Sequence, residues 1–164
     1  MTLIRHAAML LLFVASAVTG TRPLYAHHSF AMYDRSITYV LTGVVMNINP
    51  DPSHLQILFV PLNEDRSALV RDAAGERVVW NVEMEAAAAS AREGITASNF
   101  PRGTVISVSL TPLRNGQPGG SRVGALFKCP QDLSPAPGMH CDSVEGATRH
   151  GEGELATPTQ AWNP

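Results

Sequence analysis

The chain has 164 residues, 45% of them apolar and 16% charged, with a formal net charge of −2. That length and apolar content suit one domain with one modest core. Acidic residues outnumber basic ones and Lys128 is the single lysine, so the chain has no basic surface for a phosphate backbone, which excludes nucleic acid as a partner.

Residues 1–26 have the grammar of a secretory signal. Arg5 and His6 form a short positive start, Ala7 to Val18 is an uncharged apolar run, and Gly20 and Pro23 precede a small residue, Ala26. The run is about 12 residues, short of the roughly 20 a spanning helix needs, so no membrane span is expected once the signal is removed. Cleavage is expected after Ala26; Ala15-Ser16-Ala17 is the alternative, although it lies inside the apolar run. The mature chain then begins at His27-His28 in the periplasm, with ten basic residues against fourteen acidic ones.

A polar and aromatic lead-in, His27 to Arg35, precedes a long β pattern from Ile37 to Ile48. Its apolar phase changes at Gly43, which predicts a bulge or sharp bend. Asn49 to Ser53 reads as a turn and His54 to Val60 as a second strand. The polar stretch 61–76 reads as a long hairpin loop, and Arg77 to Met84 as strand three. Glu85 to Glu93 is alanine-rich and predicts the one helix, with Gly94 placed to end it. Thr104 to Leu110 is strand four, with Ile106, Val108 and Leu110 inward. Pro112 to Ser121 is a glycine-rich connection and Arg122 to Lys128 is strand five.

Three strands, a helix and two strands, with a long bent first strand, is the order of the OB-fold. The expected fold is therefore mainly β, a small five-stranded OB-like barrel over 27–128 with one helix between strands three and four. An open α+β sandwich is the alternative. Residues 129–164 lose all periodicity and read as a disulfide loop, Cys129 to Cys141, followed by a flexible tail. An even cysteine count in an exported chain favours a bridge, and no C-x-x-C points to a redox or metal pair.

These residues resemble a bacterial exported family of uncharacterised function. The resemblance rests on His-His-Ser-Phe-Ala-Met-Tyr-Asp (27–34), Thr42-Gly43-Val44-Val45, Asn49-Pro50 followed by His54, Trp80-Asn81-Val82-Glu83, Gly94, and Pro112-Leu113-Arg114-Asn115-Gly116 with Gly119-Gly120. Members run Asn-Pro-His without interruption; here Asp51-Pro52-Ser53 intervene and displace His54. The family supplies no activity.

The histidine pair is the sharpest chemical feature. A free amine and the His27 ring could chelate one ion, His28 adds an imidazole, and His54 a further nitrogen; such donors suit copper or zinc. The plainer reading is a polar, exposed segment. Asp34, Glu83 and Arg114 are candidate ligand-binding residues, Arg114 through its fork of donors, although Glu83 also reads as a solvated strand residue and the glycines after Arg114 as turn chemistry. Trp80 reads as core. No nucleophile elbow, H-E-x-x-H or phosphate loop is present, so the expectation leans away from catalysis. It is a periplasmic binding or accessory module for a small ligand or protein partner; the alternative is a periplasmic copper- or zinc-binding protein using His27, His28 and His54.

Overall fold

The computed structural model describes residues 30–163, so the signal, its cleavage point, His27 and His28 lie outside the described residues. Five strands form a closed barrel: β1 (Tyr39–Pro50), β2 (Leu55–Pro61), β3 (Trp80–Glu83), β4 (Val105–Pro112) and β5 (Gly119–Lys128). Neighbours run in the order β3-β2-β1-β4-β5, and β3 pairs with β5 in parallel to close the circle. One helix, α1 (Ala87–Arg92), lies between β3 and β4. The expected mainly β barrel is thus the observed one.

β1 makes closure possible because it serves two partners. Tyr39 to Val44 pair with β4, and Gly43 to Pro50 pair with β2, so both edges are used at Gly43 and Val44. The expected bulge at Gly43 falls two residues later, between Val45 and Asn47. The glycine has a different task. A Cβ there would collide with the Val60 carbonyl oxygen and lie 2.6 Å from Phe59 and 2.8 Å from the Pro61 Cα. Close backbone approach, not the bulge, demands glycine.

Alternation along each strand fills the interior. Val45, Ile57, Phe59, Val82, Ile106, Val108, Leu110 and Leu126 are fully buried, and Trp80 joins them as the reading of β3 predicts. Burial of each large side chain contributes about 1.5–3 kcal/mol.

Boundaries shift where partners decide them. The helix begins at Ala87, because Met84 N–H donates to the Leu55 carbonyl and Leu55 N–H to the Glu85 carbonyl, which keeps the chain extended through Glu85. It ends as expected: Gly94 has φ +79°, its N–H bonds Ala91, and Ile95 N–H bonds Ser90, the paired bonds of a Schellman stop. β5 starts at Gly119, not Arg122, since Gly119 and Gly120 pair with Asn81 and Val82 of β3. β3 is correspondingly shorter than expected, and Arg77 forms an isolated bridge with Arg71 inside the long loop.

The expected flexible tail is instead placed against the barrel. Cys129 and Cys141 are bonded, and β6 (Thr148–His150) pairs with Leu126 to Lys128 of β5. The tail covers the outer faces of β1 and β4, whose Thr42, Ser107 and Ser109 are buried although they alternate with the core. Their hydroxyls meet tail groups: Cys141 N–H donates to Ser107 Oγ and Ala156 N–H to Ser109 Oγ, both at 2.8 Å, and Thr42 Oγ1 lies 2.8 Å from His140 Nδ1. A second apolar cluster, Ala125, Phe127, Cys129 and Cys141 with Val144 and Leu155, fills the space between. Such order rests on partners distant in sequence, and no local period encodes it.

Burial and the nearby Arg66 cation lower the His140 pKa below 6.5, with Asp142 opposing. The unfolded chain therefore takes the proton first, so this contribution to stability is full above about pH 6.5 and is lost as pH falls toward the folded value. Thermal melts across pH 7.5 to 5 should show that loss, and His140→Gln should flatten it. An equally steep profile in the variant would show that another group carries the dependence.

Candidate functional site

Three residues far apart in sequence meet at one corner of the barrel. Glu83 closes β3, and on the neighbouring strand Gln56 is its cross-strand partner. Asp51 accepts from the N–H and the hydroxyl of Ser53, making a tight turn, and its Oδ1 lies 3.4 Å from the His54 N–H. Residues 51–53 thus build a turn that delivers His54 to the start of β2. There His54 Nδ1 lies 3.3 Å from Glu83 Oε1. These bonds also hold the Asp51 carboxyl below its ordinary range, the Ser53 hydroxyl being the main cause.

The third member is Tyr33, a residue of the polar lead-in with no periodic neighbours to mark it as buried. It is 4% exposed, and its hydroxyl lies near enough to Glu83 for the carboxylate to act on it as an acceptor. Burial, reinforced by Glu83 as a charge and as an acceptor, raises the phenol pKa far above its ordinary 10.0, so the hydroxyl stays protonated as a donor. Glu83 is thereby not the solvated strand residue that alternation alone suggests; its side chain is 22% exposed.

The lead-in holds Tyr33 in place through the 112–116 loop. Tyr33 bridges Leu113, Asp34 N–H donates to the Pro112 carbonyl, and Arg114 N–H to the Met32 carbonyl. Arg114 also donates from Nε to the Ala31 carbonyl at 3.0 Å, while its Nη1 lies 4.0 Å from Asp34 Oδ1. The Asp34 carboxylate accepts from the Ser36 hydroxyl and N–H, which lower its pKa, with Arg114 adding a smaller pull. Asp34 and Arg114 thus anchor the lead-in beside the corner. Of the sequence candidates, His54 and Glu83 touch each other and Asp34 and Arg114 form a neighbouring pair; His27 and His28 lie outside the described residues.

Asn81 extends the corner along the same face of β3 as Glu83. Its Oδ1 is buried and accepts no hydrogen bond among the described residues. The corner is therefore rich in acceptors, Glu83 and Asn81, with one imidazole. Among the described residues no group of three or more His, Cys, Asp or Glu could hold a metal ion. A separate groove of about 650 Å³ is lined by Arg102, Lys128, Cys129 and Asp132 among others and shares no residue with the corner. Its Lys128 ammonium is committed to the Asn99 carbonyl and the Phe100 ring.

Tyr33→Phe removes the phenol hydroxyl that faces the half-buried Glu83 carboxylate. Hydrogen bonds to charged groups contribute about 1.5–3 kcal/mol, so urea unfolding should show a loss of about 2 kcal/mol. A change under about 0.5 kcal/mol would mean that Glu83 does not depend on the phenol.

Fold and corner together define a small OB-like barrel with one polar, acceptor-rich end. The chain belongs to the family of unknown function DUF6152, whose model matches residues 14–122. The disulfide and the tail lie beyond that match. No curated protein and no solved structure matches the chain.

Proposed function

We propose that the protein is an exported, non-catalytic binding module of the periplasm whose ligand docks where Tyr33, His54 and Glu83 meet. The carrying observation is that the half-buried Glu83 carboxylate lies 3.3 Å from His54 Nδ1 and acts on the phenol of the buried Tyr33. Aligning a half-buried carboxylate this way is costly unless it serves a ligand or a neighbour. Because Glu83 and Asn81 offer acceptors, the ligand presents donors or positive charge. A protonated phenol and an oriented carboxylate suit recognition. Export is supported by the signal grammar of residues 1–26 and by the bonded cysteine pair, since disulfides persist in oxidising compartments.

The test is an NMR titration of the mature chain with the small-molecule fraction of a periplasmic extract. Resonances of Tyr33, His54 and Asn81 should shift in the wild type and stay still in Glu83→Ala. Shifts confined to other parts of the barrel would overturn the assignment.

A second reading, a copper or zinc site, is favoured by one detail of geometry. An imidazole whose Nδ1 faces a carboxylate is oriented as metal-ligating histidines are. His27, His28 and His54 are the nitrogen donors the sequence offers for such an ion. Calorimetry with Cu(II) and Zn(II) should then show a loss of about 10–100-fold in affinity for Glu83→Gln. Unchanged affinity in His27→Ala/His28→Ala and in His54→Ala would sink the metal reading.

A further inference from the structure

The tail meets the 61–76 loop at one strained residue. Arg66 holds φ +59°, in the left-handed region that a non-glycine keeps only where contacts enforce it. Asn63 builds that turn, accepting the N–H groups of Ser67 and Ala68 on its Oδ1 and that of Arg66 on its carbonyl. The guanidinium reaches the tail from there. Its Nε and Nη2 both donate to the Met139 carbonyl, at 3.0 and 2.7 Å, and its Nη1 donates to the Asn63 carbonyl at 3.0 Å. Gly138 N–H donates to the Glu64 carbonyl alongside. The next tail residue is His140, so a fixed cation adjoins a group that titrates.

His140 also ends a buried row of hydroxyls. Ser107 Oγ accepts the Cys141 N–H at 2.8 Å and lies 2.6 Å from Thr42 Oγ1, which in turn lies 2.8 Å from His140 Nδ1. Only a bare Nδ1 lets every hydrogen in the row find an acceptor: Ser107 gives its hydrogen to Thr42, and Thr42 gives its own to the ring. A protonated ring donates from Nδ1 instead. Whichever way the two hydroxyls then turn, one buried hydrogen has no acceptor within the row. The new charge also faces the Arg66 cation. Asp142, on the same segment, opposes that repulsion and is the weaker influence. Glu64 acts on Arg66 from within the loop, while Thr42 of β1 and Ser107 of β4 carry no charge.

We propose that Arg66 and His140 form an acid-opened latch: protonation of His140 parts residues 138–141 from the 61–76 loop and bares Thr42 and Ser107 on the outer face of β1 and β4, while the barrel stays closed. The bond from Cys141 to Cys129 keeps the opening local.

Hydrogen exchange on the full chain, corrected for intrinsic rates, tests it between pH 7.5 and 5. Protection at the Gly138 and Cys141 amides should fall about fivefold or more, beginning near pH 6.5 and levelling off below the pH at which the His140 ring titrates by NMR. The Leu55 and Met84 amides, bonded within the barrel, should keep their protection. His140→Gln, which accepts from Thr42 without titrating, should hold the Gly138 and Cys141 values steady. Arg66→Gln should lower Gly138 protection already at pH 7.5. An equal fall at Leu55 and Met84 in the wild type would mean that acid loosens the whole fold, and would overturn the latch whether or not the variants fold. An undiminished fall in His140→Gln, or unchanged Gly138 protection in Arg66→Gln, would overturn it as well.

Discussion

Replacing both cysteines with alanine should lower stability by about 3 kcal/mol. The bridge joins residues 12 apart in sequence, and in the chain-entropy model closing a loop of that size removes about 3 kcal/mol from the unfolded state. The loss should be felt beyond the loop, because Cys141 lies among the contacts that seat the tail. Its N–H donates to Ser107 Oγ, its neighbour His140 meets Thr42, and both cysteines belong to the outer apolar cluster. Hydrogen exchange should therefore speed up at Cys141 and Ala156 while the β1–β4 amides keep their protection. Urea unfolding within about 1 kcal/mol of the wild type, with exchange at those two amides unchanged, would show that the tail does not depend on the bridge.

Gly43→Ala should be comparably damaging for a different reason. The new methyl would meet three groups closer than real Cβ atoms come, two of them backbone atoms of β2. Backbone cannot rotate away as a side-chain end can, so β1 and β2 must separate where β1 is paired on both edges. Overpacking typically costs about 1–3 kcal/mol, and the expected loss is at the top of that range, about 3 kcal/mol. Gly75→Ala is the useful comparison. It sits at φ +82° with open space around its Cβ position, so its penalty is backbone strain alone, of order 1–2 kcal/mol. Equal penalties at the two sites would mean that Gly43 is kept for conformation and not for close approach.

The contrast between Gly43 and the tail shows what the sequence could carry. Alternation of Ile106, Val108 and Leu110 identified the inner face of β4 directly, and the same rule placed Trp80 in the core. It failed on the opposite face. Ser107 and Ser109 look like solvent-facing residues, yet both are fully buried because the tail supplies N–H groups to their hydroxyls. Nothing near residues 107–109 announces a partner some thirty to fifty positions away. Glu83 and His54 were legible as chemistry-bearing side chains, but alternation gave Glu83 to solvent. Tyr33 changed that, and a tyrosine in a short polar lead-in has no periodic neighbours to mark it as buried. Its place within the 27–34 motif was the one available signal. The contact of Trp162 with Trp80, ring centroids 5.3 Å apart, was unreadable for the same reason as the serines: a lone aromatic in an aperiodic segment carries no address.

The proposed ligand is held at the corner where Tyr33, His54 and Glu83 converge. Native mass spectrometry of the chain recovered from the cells that produce it, wild type beside Glu83→Ala, tests the proposed corner site. The wild type should carry a bound mass that is lost from the variant while the folded charge-state distribution is unchanged. The same adduct on both proteins in equal amount would contradict it.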